Sequence, residues 1–230
     1  MMRGARFLLW SMFGIVLFYL IVLFVFRWVP IPSSAFIYHQ NALHKAQPNV
    51  YSAANYEWID WKDIPSDVVL AVITAEDQRF PTHWGVDLIE MRNAILNRKG
   101  KSSIRGASTI TQQVAKNLFL WNGRSYIRKG VEVFISLSLE LVWSKKRILE
   151  VYLNVAQFAP VTFGVKAASK KIYDKLPMEL SKEESAMLAA VLPTPAKSTA
   201  LDPSPTLQKR HAWILEHMEK LGGVTYLNRL

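Results

Sequence analysis

The chain contains no cysteine. That excludes a disulfide framework, thiolate metal sites and a cysteine nucleophile. It also lacks H-E-x-x-H, a glycine-rich phosphate loop and G-x-S-x-G. The commonest signatures of zinc hydrolysis, nucleotide binding and serine hydrolysis are therefore missing. There is no internal repeat and no low-complexity segment. Acidic residues are scarce, with 18 Asp/Glu against 28 Lys/Arg and a net charge of +10. Half of the 230 residues are hydrophobic, which excludes a disordered chain. Without a membrane anchor, about 200 residues would remain, enough for one domain with a full core.

The charge is unevenly placed. Between Arg98 and Lys175 there are 15 Lys/Arg and four Asp/Glu, so this part carries +11 and the remainder −1. A basic surface of this kind meets nucleic acid, anionic lipid or a phosphorylated substrate. No recognisable nucleic-acid module accompanies it, so nucleic acid is not expected as a partner.

Phe7–Phe26 is a 20-residue run without a charge, flanked by Arg3, Arg6 and Arg27. Twenty helical residues span ~30 Å of hydrocarbon. A signal peptide has an apolar region of only about 7–15 residues. Residues 7–28 are therefore expected to be an uncleaved transmembrane helix, the alternative being a long signal peptide. The division that follows is a cytoplasmic tail over 1–6, the span over 7–28, a connector over 29–55 and a folded domain over 56–230. The tail is too short to be anything but an inside terminus. Pro30, Pro32 and Pro48 argue against a long helix in the connector.

Beyond it, the pattern is helical. Ser66 is expected to cap a helix carrying Val68, Val69, Val72 and Ala75, with Glu76 at its end. Asp87 to about Arg98 is a second helix, with Leu88, Met91 and Ile95 on one face. The segment 100–106 is a basic Gly/Ser loop. Thr109 and Gln112 form a capping box opening a helix that Asn122-Gly123 ends. Val131–Leu141 is ambiguous. Strict alternation favours a strand, whereas Arg128, Glu132, Ser136 and Glu140 form one stripe at helical spacing. Ser144 caps a basic helix through Asn154, Ser181 and Glu184 make another capping box, and a last helix runs from about Thr206 to Leu221.

Two glutamates stand out. Glu76 follows Val-Ile-Thr-Ala and precedes an aromatic-rich turn. A carboxylate at an apolar junction has a raised pKa, which suits a general base near neutral pH. Most glutamates are merely solvated, and Glu132 could be no more than an i,i+4 ion pair with Arg128. Around them fall Lys116, Arg124, Arg128 and Lys129. These could form a solvated basic face. They could also hold a pyrophosphate, since cations stabilise charge developing on a leaving phosphate. A glycosidase expels a poorer alkoxide and needs a carboxylic acid to protonate it. Paired carboxylates among cations therefore point to transfer from a glycosyl diphosphate. His83 stands alone, without a partner at metal-ligand spacing, and reads as structural. No metal site is expected among the protein's residues.

Four motifs carry a resemblance. They are E-D-Q-R-F-P-T-H-W-G (Glu76–Gly85), G-A-S-T-I-T-Q-Q (Gly106–Gln113), R-K-G-V-E (Arg128–Glu132) and R-I-L-E-V-Y-L-N (Arg147–Asn154). With their flanks they cover about Trp58 to Leu221, and the chain resembles the bacterial peptidoglycan glycosyltransferases. No Ser is followed three positions later by Lys, so the acyl-transfer motif of penicillin-binding domains is absent.

The resemblance implies a mainly α, lysozyme-like glycosyltransferase domain with a small membrane-proximal lobe, preceded by one N-terminal transmembrane helix. It is also what decides Val131–Leu141 in favour of a helix. It implies that lipid II is polymerised into β-1,4 glycan at the periplasmic side of the inner membrane, with inversion and release of undecaprenyl diphosphate. Glu76 is then the general base on the acceptor 4-hydroxyl. Glu132 is the second essential carboxylate and assists departure of the lipid diphosphate, directly or through a divalent cation (Mg or Mn). Lys116 and Arg124 contact the diphosphate. Ser108, Gln112, Gln113 and Arg128 line the cleft, and Asp77 supports it. The growing glycan strand, the membrane and cell-wall synthesis and division proteins are the implied partners. A glycan-cleaving enzyme on a related α fold, a membrane-anchored lytic transglycosylase or lysozyme, is the alternative. The segment Lys209–Leu215 departs from the family's last motif, and no site residue is expected there.

Overall fold

The computed structural model describes residues 2–96, 108–123, 125–197 and 199–230, without the side chains of 2–5, 7–9 and 95. The expected loop over 100–106 and Arg124 lie outside the described residues.

The fold is built around a helix that is apolar on every side. α3 (Ser66–Glu76) buries every residue from Val68 to Thr74. An all-round hydrophobic helix must be enclosed by others, and α9 (Lys182–Val191) and α10 (Pro205–Lys220) pack against it. Its one buried hydroxyl, on Thr74, is satisfied by donating to the Leu70 carbonyl at 2.7 Å. Ser66 is the first helical residue and Pro65 holds the cap position, so the expected Ser66 cap does not form. Proline's fixed φ and missing N–H suit a helix entrance without a side-chain acceptor.

A second group assembles on α5 (Ile110–Phe119), which packs against both α6 (Tyr126–Val142) and α7 (Lys145–Val155). The Thr109–Gln112 capping box is present at the start of α5. The helix ends at Phe119 rather than at Asn122-Gly123. Its last turn closes where Leu120, a buried residue, turns extended. The alternating segment Val131–Leu141 is helical, inside α6. Its polar stripe decides, since Glu132 and Ser136 are buried on the same side of α6. Ser144 and Ser181 cap α7 and α9 as expected.

The motif on α7 is structural cement. Asn154 accepts from Ile59 N at 2.8 Å and donates to Ile59 O at 2.9 Å. Glu150 accepts from Trp61 N at 2.8 Å. Arg147 donates to the carbonyls of Phe26 and Val29. The chain after α7 forms a small sheet, in which β3 (Thr162–Phe163) lies between β1 (Asn55–Tyr56) and β2 (Gln157–Ala159). Gly164 is required behind it: φ is +81°, and a Cβ there would lie 2.5 Å from the Asn154 carbonyl oxygen. α8 (Val165–Tyr173) follows.

The N-terminal part is helical too. α1 (Met2–Val25) covers most of the segment expected to span a membrane. Among the described residues no helix is long and apolar enough to cross a membrane. The first positions of the expected span, residues 7–9, have side chains outside the described set. The lower end of α1 is docked: Leu23 is buried, and its carbonyl accepts from the Trp143 indole at 2.7 Å. The connector is more ordered than its prolines imply. Ser34 caps a 12-residue helix, α2 (Ala35–Ala46), which fits between Pro32 and Pro48 and packs on α5.

One face of α6 stays apolar and exposed. Ile127, Val131, Phe134 and Leu141 line it, at spacings that repeat along one side of a helix. It runs beside α1, where Tyr19 stacks on Phe134 with ring centroids 6.4 Å apart. α4 (Leu88–Leu96) also leaves Leu88, Ile89 and Leu96 exposed; of its expected apolar face, Leu88 is exposed, Met91 is partly buried and the Ile95 side chain lies outside the described set.

Candidate active site

The end of α3 delivers Glu76 to a cleft whose opposite wall is α5. Gln113 Nε2 donates to Glu76 Oε2 at 2.8 Å, and the Tyr152 hydroxyl holds Gln113 from behind at 3.2 Å. The other oxygen is held by an unexpected partner. Arg210 Nη2, from α10, donates to Glu76 Oε1 at 3.0 Å and to the Ala75 carbonyl at 3.1 Å. Burial pushes the Glu76 carboxyl above its ordinary value; the Gln113 hydrogen bond and the Arg210 charge oppose this. A raised carboxylate pKa is what the apolar run before Glu76 predicts.

Asp77, the next residue, does a different job. It is buried and accepts from His83 Nε2 at 2.9 and 3.0 Å and from Ile110 N at 3.0 Å. It thereby ties the turn after α3 to the first residue of α5. His83 is structural in this sense. Asp87 accepts from Ile89 N and Glu90 N at 3.0 Å each, capping α4, and from Arg79 Nε at 3.0 Å. The ligand atoms of Asp77, His83 and Asp87 lie within 4.8 Å of one another. Both carboxylates, however, are already engaged by N–H donors, which fits a hydrogen-bonded clasp rather than a cation cage.

Glu132 lies across α5. Its side chain is buried, with Arg128 Nη1 on one oxygen at 2.7 Å and Lys129 Nζ on the other at 2.5 Å. The i,i+4 ion pair with Arg128 therefore exists, inside a larger network. Lys129 Nζ also donates to Ser108 Oγ and to Gln112 Oε1, each at 3.2 Å. Adjacent residues of α5 thus serve the two glutamates: Gln113 reaches Glu76, and Gln112 reaches Glu132 through Lys129. Lys116, one turn on, feels the charge of both, Glu132 more strongly than Glu76. Its ammonium sits over the Phe36 ring of α2 at 5.5 Å. Burial, first, lowers its pKa.

Of the expected site residues, Gln113 bonds Glu76 on one side of α5, Arg128 bonds Glu132 directly and Ser108 and Gln112 join it through Lys129 on the other, and Lys116 feels the charge of both glutamates. Asp77 supports this site from beneath, and Arg124 is outside the described residues. The donor set around Glu132 does not call for a divalent ion, because each carboxylate oxygen already has a cation within 2.7 Å. Sequence reasoning missed Arg210. It sits in Lys209–Leu215, where no site residue was expected, and its only available signal was a cation on the polar side of the last helix.

A helical domain with a largely buried carboxylate on one side of α5 and a cluster of lysine and arginine on the other fits an enzyme of glycosyl transfer better than a binding scaffold. A transglycosylase family model matches residues 40–219, and the chain belongs to that family. A biosynthetic peptidoglycan transglycosylase of Mannheimia succiniciproducens is 50% identical over 207 residues, covering 90% of this chain and 84% of that protein. One of Salmonella paratyphi A is 46% identical over 206 residues, 89% of this chain and 85% of that one. One of Escherichia coli O139:H28 is 43% identical over 225 residues, covering 97% and 93%.

Proposed function

We propose that this glycosyltransferase polymerises lipid II into β-1,4-linked peptidoglycan strands and releases undecaprenyl diphosphate. Glu76 takes the proton from the acceptor 4-hydroxyl. The acceptor O4 forms a bond to the donor anomeric carbon as the bond from that carbon to the diphosphate oxygen breaks, and the electron pair leaves with the diphosphate. In-line displacement inverts the centre, turning an α-diphosphate into a β-glycoside. Lys116, Arg128 and Lys129 stabilise the charge on the leaving group, with Arg124 as the remaining expected contact. Glu132 keeps Arg128 and Lys129 in place. The observation that carries this reading is the division of labour across α5: a carboxylate with a raised pKa on one side and a cluster of cations on the other.

Two further features support a lipid-linked substrate at a membrane. Between α2 and the end of α5 lies a groove of about 410 Å³ lined by Phe36, Tyr38, Phe119 and Trp121. Phe36 is the ring under Lys116, so an apolar chain in that groove would enter beside the diphosphate's cation. The exposed apolar side of α6 runs along α1, as expected of a face resting on hydrocarbon. We infer that residues 7–28 form the inner-membrane anchor and that the domain works on the periplasmic side.

The test is incubation of the full chain with lipid II in detergent or vesicles. A linear β-1,4 polymer with equimolar undecaprenyl diphosphate is the predicted product. A folded protein that yields no polymer, yet releases soluble muropeptides from purified sacculi, would overturn the reading in favour of glycan cleavage.

A further inference from the structure

The chain turns back after α10. Gly222, with φ at +97°, adopts a backbone that other residues take only under strain. The Thr225 hydroxyl closes the reversal by donating to the Gly222 carbonyl at 2.6 Å. These residues follow the stretch matched to the transglycosylase family, which ends at residue 219. The reversed segment, a 3₁₀ helix over Gly223–Arg229, packs against both α10 and α3. Its anchor is Tyr226. The ring is buried, and the Arg229 guanidinium lies over it, 4.8 Å from its centroid. A buried tyrosine ring leaves a hydroxyl at its far end that needs a partner. That partner is a backbone carbonyl beside the site: the Tyr226 hydroxyl donates to Gln78 O at 2.5 Å.

Gln78 is two residues beyond Glu76, in the turn that leaves α3. Two other bonds fix that turn, one from α3 itself and one from α5. Gln78 Nε2 donates to the Thr74 carbonyl at 3.2 Å, and Asp77 accepts from Ile110 N at 3.0 Å. Tyr226 grips it from a third direction. We propose that Tyr226 is a positioning residue for glycosyl transfer: by holding Gln78 it fixes where α3 ends and so where the Glu76 carboxylate points. A general base must stand within hydrogen-bond reach of the hydroxyl it deprotonates, so a small displacement of that turn lowers the rate rather than the binding. Tyr226 acts through the backbone of Gln78 and not on the substrate. The proposal rests on the reading of Glu76 as the base.

The test uses the full chain, with Y226F and T225A as variants. Y226F keeps the buried ring and removes the hydroxyl. T225A loosens the same segment but leaves the bond to Gln78 in place. The glutamate carboxyl carbons are labelled with 13C, and the resonance that E76Q removes is that of Glu76. Glu76 is faced by Gln113 and Lys116 from α5, Arg210 from α10, Tyr152 from α7 and Asp77 beside it. Y226F takes no charge from this set, so any movement of the titration reports geometry. Burial is the largest influence on the Glu76 carboxyl. A turn that relaxes toward water is therefore expected to let Glu76 titrate at lower pH in Y226F than in the wild type. For lipid II, kcat is expected to fall about three- to ten-fold, as for the loss of one hydrogen bond, with KM unchanged. T225A is expected to lower Tm without either change. A Y226F protein that keeps the wild-type titration or the wild-type kcat would show that the segment serves stability alone and would overturn the proposal. E76Q separates that failure from failure of the base. An inert E76Q beside an unchanged Y226F removes only the positioning role, whereas an E76Q that polymerises normally removes the base itself.

Discussion

Glu76 is held by two opposing influences, and each can be removed separately. Burial raises its pKa; Gln113 and Arg210 lower it. As a base it must be ionised, so kcat/KM is predicted to fall as the pH drops through a value above that of an ordinary glutamate. R210M removes the counter-charge and is predicted to move this acidic limb to higher pH. The loss would be larger at pH 6 than at pH 8, with R210K restoring part of the shift. An unchanged profile would show that Arg210 serves α10 packing alone. On the alkaline side, Lys116 has a lowered pKa, so its charge is lost below the ordinary lysine value and the second limb begins early.

The same carboxyl makes a stability prediction of definite sign. Its folded pKa lies above its unfolded one, so its favourable contribution is present in acid and lost as pH rises through the folded value. E76Q is uncharged at every pH. It is therefore predicted to have a higher Tm than the wild type at pH 8, with the advantage vanishing as the pH is lowered below the ordinary glutamate range. A scan of Tm against pH for both proteins measures this. A variant that is more stable and inactive is the expected mark of a catalytic group held at a cost to the fold.

At the scale of elements, the motif on α7 does no chemistry in this account. Its residues fasten segments that approach from elsewhere: Arg147 holds the exit of α1, Glu150 and Asn154 hold residues 59–61. N154A would leave the backbone N–H and C=O of Ile59 unpaired in a buried place. The predicted loss is about 2 kcal/mol or more, seen as a drop in Tm of roughly 5 °C or more, with kcat at low temperature near wild type. Helices with explicit caps were legible in the sequence: Thr109, Ser144 and Ser181 each open one. Val131–Leu141 was not legible by alternation, because its apolar residues cover both the core side and the exposed face beside α1. α2 was hidden by the prolines that flank it. The end of α5 came early because a buried Leu120 needed an extended backbone, a tertiary demand with no local signature. In the site, Glu76 and its raised pKa followed from the apolar run before it. Arg210 did not, because a contact between residues 76 and 210 leaves no trace in spacing.

At the scale of the whole molecule, the cleft separates charge. Around Glu132 on the α6 side of α5 cations predominate, whereas on the α4 and α10 side the carboxylates of Glu76, Asp77, Asp87 and Glu90 outnumber the guanidinium groups of Arg79 and Arg210. That polarity fits a reaction joining a phosphate-bearing donor to a neutral acceptor. In the function proposed above, the exposed face of α6 turns the same body toward a bilayer. In vesicles containing a photoactivatable lipid, the full chain is predicted to be labelled on Ile127 and Phe134 as well as on α1; labelling confined to α1 would mean that the domain stands clear of the membrane. The most direct measurement is single-turnover polymerisation of lipid II by the wild type and by E76Q at matched folding. The account predicts that E76Q binds lipid II normally and forms the first β-1,4 bond at least about a hundred-fold more slowly. An E76Q protein that builds glycan at the wild-type rate would contradict it.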